Sequence, residues 1–338
     1  MIQYLKSKGV TLSPRDYFVS ALGYMALGLF SSLLIGLIIK TLGEQIGLSS
    51  FVEMGQFAMD PKIVGAAIGV AVAHSLKAPP LVLFSAVFAG AYGGFIGGPA
   101  GSYVTVLLAT EFGKMIYRVT KIDIIVVPFA VFMVGYYVGT FVGIPINNLM
   151  TSLGTLINWA TEQQPFVMSI IVATVMGLAL TAPISSAAIA FMLGLDGLAA
   201  GAAVIGCSAQ MIGFATISYR ENGISGIVAQ GLGTSMLQIG NIVKNPLILI
   251  PPTLSGAISA PIAIGVFRMT NNQAGAGMGT SGLVGQFMAF ETMGFSMRTL
   301  SLTLLFHIII PAIISLLVFF YMQQKRWIKK GDLLLRYE

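Results

Sequence analysis

Apolar stretches near or above ~18 residues recur from one end of this chain to the other. A run of that length is what an α-helix needs to cross the hydrocarbon core of a bilayer. Inside lipid every backbone N–H and C=O must be paired within the segment, so uninterrupted apolar runs predict helices rather than open sheet. Of 338 residues, 56% are hydrophobic and only 9% are charged, with a mean hydropathy of +0.88. Soluble domains carry about a quarter charged residues, enough polar surface to cover their cores. A soluble enzyme, a disordered chain and a secreted disulfide scaffold are excluded on that ground. The expectation is an all-α polytopic membrane protein, and at ~20 residues per span there is room for about ten transmembrane helices.

The spans can be placed by eye. The first runs from about Tyr17 to Ile39; residues 44–60 are too polar to cross and read as an interfacial helix or loop. Spans near 62–76, 80–97, 99–116 and 122–146 follow. Residues 147–162 form an amphipathic surface helix with Trp159 at headgroup depth. Further spans fall near 165–182, 185–195, 197–218, 247–269 and 299–322, and the polar segments 226–245 and 271–296 interrupt them. Basic residues gather at three places: Lys6, Lys8 and Arg15; Lys114, Arg118 and Lys121; and Lys325, Arg326, Lys329, Lys330 and Arg336. Positive loops stay in the cytoplasm, which places both termini and the Lys114–Lys121 connection there. The expected organisation is a cytoplasmic N-terminus over 1–16, one transmembrane domain over 17–322 and a basic cytoplasmic tail over 323–338. No cleavable signal peptide is read at the start. The net charge of +6 follows the insertion pattern, and without aromatics interleaved among the basics it does not suggest nucleic acid.

Residues 77–97 align without gaps to 181–201, with identities at Ala78/Ala182, Pro79/Pro183, Ala86/Ala190, Gly90/Gly194, Gly93/Gly197 and Gly97/Gly201. This is a candidate parallel repeat, with units over 62–118 and 165–222. Pro183 should break its helix, leaving Ser185 and Ser186 to cap a short one and unpaired backbone facing a cavity.

Polar side chains inside apolar sequence usually face a cavity or a partner. Gln230, Thr234, Gln238, Asn241 and Asn245 recur at helical spacing, a stripe of neutral donors and acceptors suited to a polyhydroxyl solute. Residues 271–286, NNQAGAGMGTSGLVGQ, open on Asn271, Asn272 and Gln273 and are rich in glycine without charge. Such backbone is either an aqueous loop or a re-entrant turn buried in protein, with Thr280 and Ser281 as caps for the helix that follows. Glu291 comes next, with Arg298 or Arg268 as its expected counter-charge. His74 is the only histidine of the first half, and His307 should bond across helices. Arg220, Glu221 and Asn222 read as a solvated turn. The lone Cys207 forms no disulfide, and no metal cluster, nucleotide loop or nucleophile–base pair is present, so no cofactor and no catalytic residue is expected.

The run TAPISSAAIAFMLGLDGLAAGAAVIGCSAQMIGFATISYRENG, then GTSMLQIGNIVKNPLILIPPTLSGAISAPI and AGAGMGTSGLVGQ, resembles the PfoR-type membrane proteins grouped with the IIC subunits of bacterial sugar phosphotransferase systems. The resemblance implies a IIC-like bundle with re-entrant hairpins, a homodimer embedded in lipid, and a sugar or sugar-like solute. Sugar IIC subunits hold their substrate through a glutamate followed by proline; here Thr292 follows Glu291. Any phosphate would have to come from separate soluble phosphotransferase components. The expected function is solute permeation by alternating access, with Glu291, Asn271, Asn272, Gln273, Gln238, Asn241, Gln230, Thr234, His74 and Ser185 lining the path. The other reading is a ligand-sensing regulator that signals through its C-terminal tail to a soluble partner.

Overall fold

Alanine and glycine let helix backbones approach closely, and where lipid is as apolar as the side chains, that close packing is what holds helices together. In the computed structural model, which describes residues 2–182 and 185–335, this logic builds two compact units, Met1–Ser152 and Leu153–Glu338. Both are helical; among the described residues the only β-type pairing is an isolated bridge between Gly197 and Asn271. Among the described residues six helical stretches, Pro80–Ile116 taken as one, are long and apolar enough to cross a membrane, or seven if the bent pair Ser49–Ala58 and Pro61–Ser75 counts as one span, against the ten or so expected.

The first unit opens with a short helix, Ile2–Ser7, then the long rod Asp16–Ile46. Segment 44–60 does form a helix, Ser49–Ala58, folded back on that rod where Gly36 meets Gly55. The helix assigned to Pro80–Ile116 is in fact a hairpin. A straight helix of 37 residues would be about 55 Å long. Yet the Ser102 hydroxyl donates to the Gly90 carbonyl at 3.0 Å, and a Cβ on Gly113 would lie 2.9 Å from a methyl of Val82. The chain reverses at Gly97 and Gly98, where Gly98 has φ +58° and ψ −162°, a conformation open only to glycine. The two arms match the spans read at 80–97 and 99–116. Helix continues from Asp123 to the end of the unit at Ser152, part of the stretch Asp123–Gln163 that is only 22% buried in its most apolar window, with Ile124, Ile125, Phe129 and Phe141 exposed. Large apolar side chains so exposed are expected where lipid covers them.

One feature of the first unit was not anticipated. Lys114, grouped above with Arg118 and Lys121 in a basic connection, is 1% exposed. Its ammonium donates to Glu111 Oε1 and Thr11 Oγ1, each at 3.1 Å, while Glu111 Oε2 accepts from the Thr11 amide.

The second unit is organised around Gly197–Ile217, 94% buried in its most apolar window. Pro165–Thr181, Ile250–Gly265 and the Met297–Gln324 rod pack around it. Gly206 lies against the backbone of Ala173, where any side chain would collide with the carbonyl. Pro165–Thr181 ends and Ser186–Leu193 begins about where a break was read; Pro183 itself, like Arg336, lies outside the described residues. The second unit breaks again at Gly194, φ +61°, which the repeat alignment pairs with Gly90 in mid-helix.

Candidate functional site

Much of the glycine-rich segment is buried in protein, while Gln273, Gly282 and Leu283 stay exposed. Residues Ala274 to Gly277, Gly279 and Thr280 are all buried. A Cβ on Gly279, at φ +56°, would sit 2.6 Å from the Cys207 carbonyl carbon, and one on Gly277 would strike Ser186. The turn's polar backbone is met by neighbours. Ser186 donates to Gly277 O at 2.7 Å, Thr280 to Gly231 O at 2.6 Å, and the Cys207 thiol reaches Ala276 O at 3.6 Å. Thr280 and Ser281 do not cap the helix that follows. Thr280 is engaged with Gly231, and Val284–Met293 starts from a left-handed Leu283 instead.

Asn271 ties the turn down. Its amide N–H donates to Gly197 O at 3.1 Å and its side chain to Gly285 O at 2.9 Å, so it is fully buried. Asn272 does two things at once. Its Oδ1 accepts from the Ala274 and Gly275 amides, capping the short helix Gln273–Ala276, and its Nδ2 donates to Glu291 Oε2 at 3.0 Å. Glu291 and Gln273 are exposed, and neither has a further hydrogen bond among the described residues. A carboxylate and amides held so close can accept from and donate to the hydroxyls of one small molecule. The expected counter-charge is corrected: Arg268 pairs with Glu162 at 3.1 Å, and no ion pair of Glu291 occurs among the described residues.

Just behind, Gln286 Nε2 and His307 Nδ1 lie 3.0 Å apart, the cross-helix bond expected of His307. Gln286 Oε1, His307 Nε2 and the Thr303 hydroxyl are buried without a partner. Buried polar atoms left so cost about 1–3 kcal/mol each, a strained polar patch beside the turn.

The amide stripe is a different object. Segment 226–245 is not one helix: a π-helical turn at Ala229–Gly233, an extended Thr234 at φ −161° and a 3-10 turn at Ser235–Gln238 divide it. Gly231 and Gly233 in the π turn, and Thr234 capping Met236, account for the interruption. The amides nevertheless converge. Gln238 donates to Gln230 Oε1 at 2.8 Å and to Leu333 O at 3.0 Å; Asn241 donates to Gln238 Oε1 at 2.7 Å and to Leu334 O at 3.0 Å. Asn245 reaches Trp327 O and Asp332 at 3.0 and 2.8 Å. Gln230 in turn donates to Ser218 and Gly226. The expected solvated turn is likewise corrected. Glu221 accepts the amides of Gly331 and Leu333, and Asn222 exchanges hydrogen bonds with Leu333 and Leu335. Ile328 and Leu333 bury against Phe214, Ile242 and Phe319. The stripe and the turn together clamp residues 327–335, a partnership that nothing local in the sequence announces.

The remaining expected residues stand apart. Ser185 caps Ser186–Leu193 by accepting from the Ala188 amide at 3.1 Å. His74 belongs to the first unit, exposed near the end of Pro61–Ser75, its ring 5.7 Å from that of Tyr24.

Comparison with curated proteins and with solved structures gives no match. The family described as Phosphotransferase system, EIIC matches residues 19–335. Spanning helices and a match over nearly the whole chain make this a multi-pass membrane protein of the phosphotransferase system EIIC family, a permease type that implies a transported solute and partner components of that system.

Proposed function

We propose that the chain carries a sugar or sugar derivative across a bacterial cytoplasmic membrane, binding it at the glycine-rich turn through Glu291, Asn272 and Gln273. The observation behind this reading is the Glu291–Asn272 pair: an exposed carboxylate fixed by an amide on a turn that is otherwise buried. Asn271 sets the turn's position, and Ser185 the helix beneath it. The turn enters the membrane as a re-entrant hairpin within a single domain over 17–322 of about ten crossings, with repeat units at 62–118 and 165–222. Alternating access comes from rigid-body movement. Gln230, Thr234, Gln238, Asn241 and His74 join the path in a second conformation, in which the stripe lets go of the tail. The working unit is a homodimer in lipid with both termini cytoplasmic, of the PfoR type, and soluble components of the system supply any phosphate.

Uptake of candidate sugars into proteoliposomes tests the assignment. Glu291→Gln should lower uptake at least tenfold, since hydrogen bonds to charged groups contribute about 1.5–3 kcal/mol. Unchanged uptake by Glu291→Gln and Gln273→Leu would remove the turn from the path.

The docked tail favours a second reading, in which solute binding releases residues 325–335 to a soluble partner. Deleting that segment separates the two, because a permease goes on transporting while a sensor falls silent.

A further inference from the structure

A cavity of about 370 Å³ in the first unit is lined by Ser7, Lys8, Lys77, Lys114, Tyr117 and Arg118, among others. Four of those side chains are cationic, and their donors are only partly used. Lys8 donates to Tyr117 O at 2.7 Å. Lys114, fully buried, gives two of its three N–H bonds to Glu111 and Thr11, which leaves one for the cavity it lines. Arg118 lies over the Tyr117 ring at 5.3 Å, and neither it nor Lys77 has a side-chain hydrogen bond or ion pair among the described residues. Two carboxylates stand against four cations at the cavity, Asp123 facing Lys8 and Glu111 facing Lys114, so positive charge is left in excess. Glu111 pairs with Lys114, while Asp123 accepts the backbone amides of Arg118 and Thr120.

The backbone points the same way. Lys77 and Arg118 have φ +56° and +57°, left-handed conformations that are costly for any residue but glycine. Lys77 ends its helix in the position glycine usually takes, with the Ala78 amide bonded back to Ala73 O at 3.0 Å. Two long cations therefore stand where the turns would accept glycine more easily, and both line one cavity.

Its place at the helix ends points to the anion. The cavity lies where Pro61–Ser75 ends, where both arms of the 80–116 hairpin terminate and where Asp123–Gln163 begins. Ile122, Ile124 and Ile125, next along the chain, are exposed by 58 to 73% and offer cover for acyl chains. Basic pockets between helices at that level suit phosphate headgroups. We propose that this cavity binds the phosphate ester of an anionic phospholipid, with Lys8, Lys77, Lys114 and Arg118 as its ligands. The assignment is independent of the solute site in the second unit.

The full-length purified protein, in nanodiscs or by native mass spectrometry, should retain phosphatidylglycerol over phosphatidylcholine. Arg118→Gln and Lys77→Gly should each weaken that preference about fivefold, and the double variant at least as much as either alone, while Lys77→Arg keeps it. Lys77→Gly suits the left-handed turn, so its thermal unfolding should stay at or above that of the parent and a folding defect cannot explain the loss. Adding glycerol 3-phosphate distinguishes the sources: displacement of the lipid at millimolar concentration marks a site for free phosphate esters, and no displacement marks one anchored by acyl chains. Equal retention of the two lipids by the parent chain, or an unchanged preference in the double variant, overturns the proposal.

Discussion

Two polar regions of the second unit, the amide stripe at 230–245 and the glycine-rich turn at 271–291, look alike in composition and are built in opposite ways. In the stripe, side chains converge and are occupied: Gln230, Gln238 and Asn241 form a chain of amides ending on the carbonyls of Leu333 and Leu334. In the turn, the backbone is enclosed, and Gln273 and Glu291 remain open. The comparison teaches that a polar residue in an apolar chain is informative through its unused hydrogen-bonding capacity rather than through its presence. By that measure the turn keeps hydrogen-bonding capacity in reserve at Gln273 and Glu291, and the stripe has spent most of its own.

The sharpest way to break the comparison is at Gly279. Alanine there meets both a left-handed φ and the Cys207 backbone, so Gly279→Ala should cost about 3 kcal/mol or more and lower the unfolding temperature sharply. Gly240→Ala in the stripe, where a Cβ meets nothing within 4 Å, should leave stability nearly unchanged or slightly raised. A melt in detergent that ranks the two the other way would mean the turn is not packed as described.

A smaller effect is expected from Asn272→Ala, which removes a helix cap and the partner of Glu291. A loss of about 1 kcal/mol in stability should accompany a fall in uptake, and Asn272→Asp should keep the cap while repelling Glu291. If Asn272→Asp transported as well as the parent, the pair would be structural only.

The tail offers the next test. Trypsin should cut slowly at Arg326, Lys329 and Lys330 while the tail is clamped, and Asn222→Ala should speed cleavage about fivefold, the effect of about 1 kcal/mol. The smallest change should come from Thr234→Val, whose cap on Met236 is half-buried; a shift of about 0.5–1 kcal/mol in the same assay is expected.

Much of the architecture was readable. Apolar length gave the membrane-spanning helical class, although about ten crossings were expected and six or seven stretches among the described residues are long and apolar enough; Gly97, Gly98 and Pro99 sit where the 80–116 hairpin reverses. Enclosure of the glycine turn by protein was one of the two placements that the cost of bare backbone in lipid left open. What escaped was pairing over distance. Arg268 and Glu162 lie 106 residues apart, and Gln238 and Leu333 lie 95 apart, so neither partnership leaves a local signal. Glu111 and Lys114, three residues apart on one helix, could have been paired from spacing alone; their place beside a basic cluster disguised them. The stripe was legible as polar but misjudged as continuous, because periodicity was weighed above the glycines at 231 and 233 and the Thr234 cap.

The clamp on residues 327–335 also orders events during synthesis. At 5–20 residues per second, the 95 residues between Gln238 and Leu333 take about 5–20 s to emerge from the ribosome. For that interval the amides at 230–245 lack their lasting mates, so water or one another must serve them until the late-arriving strap emerges and locks the segment in place.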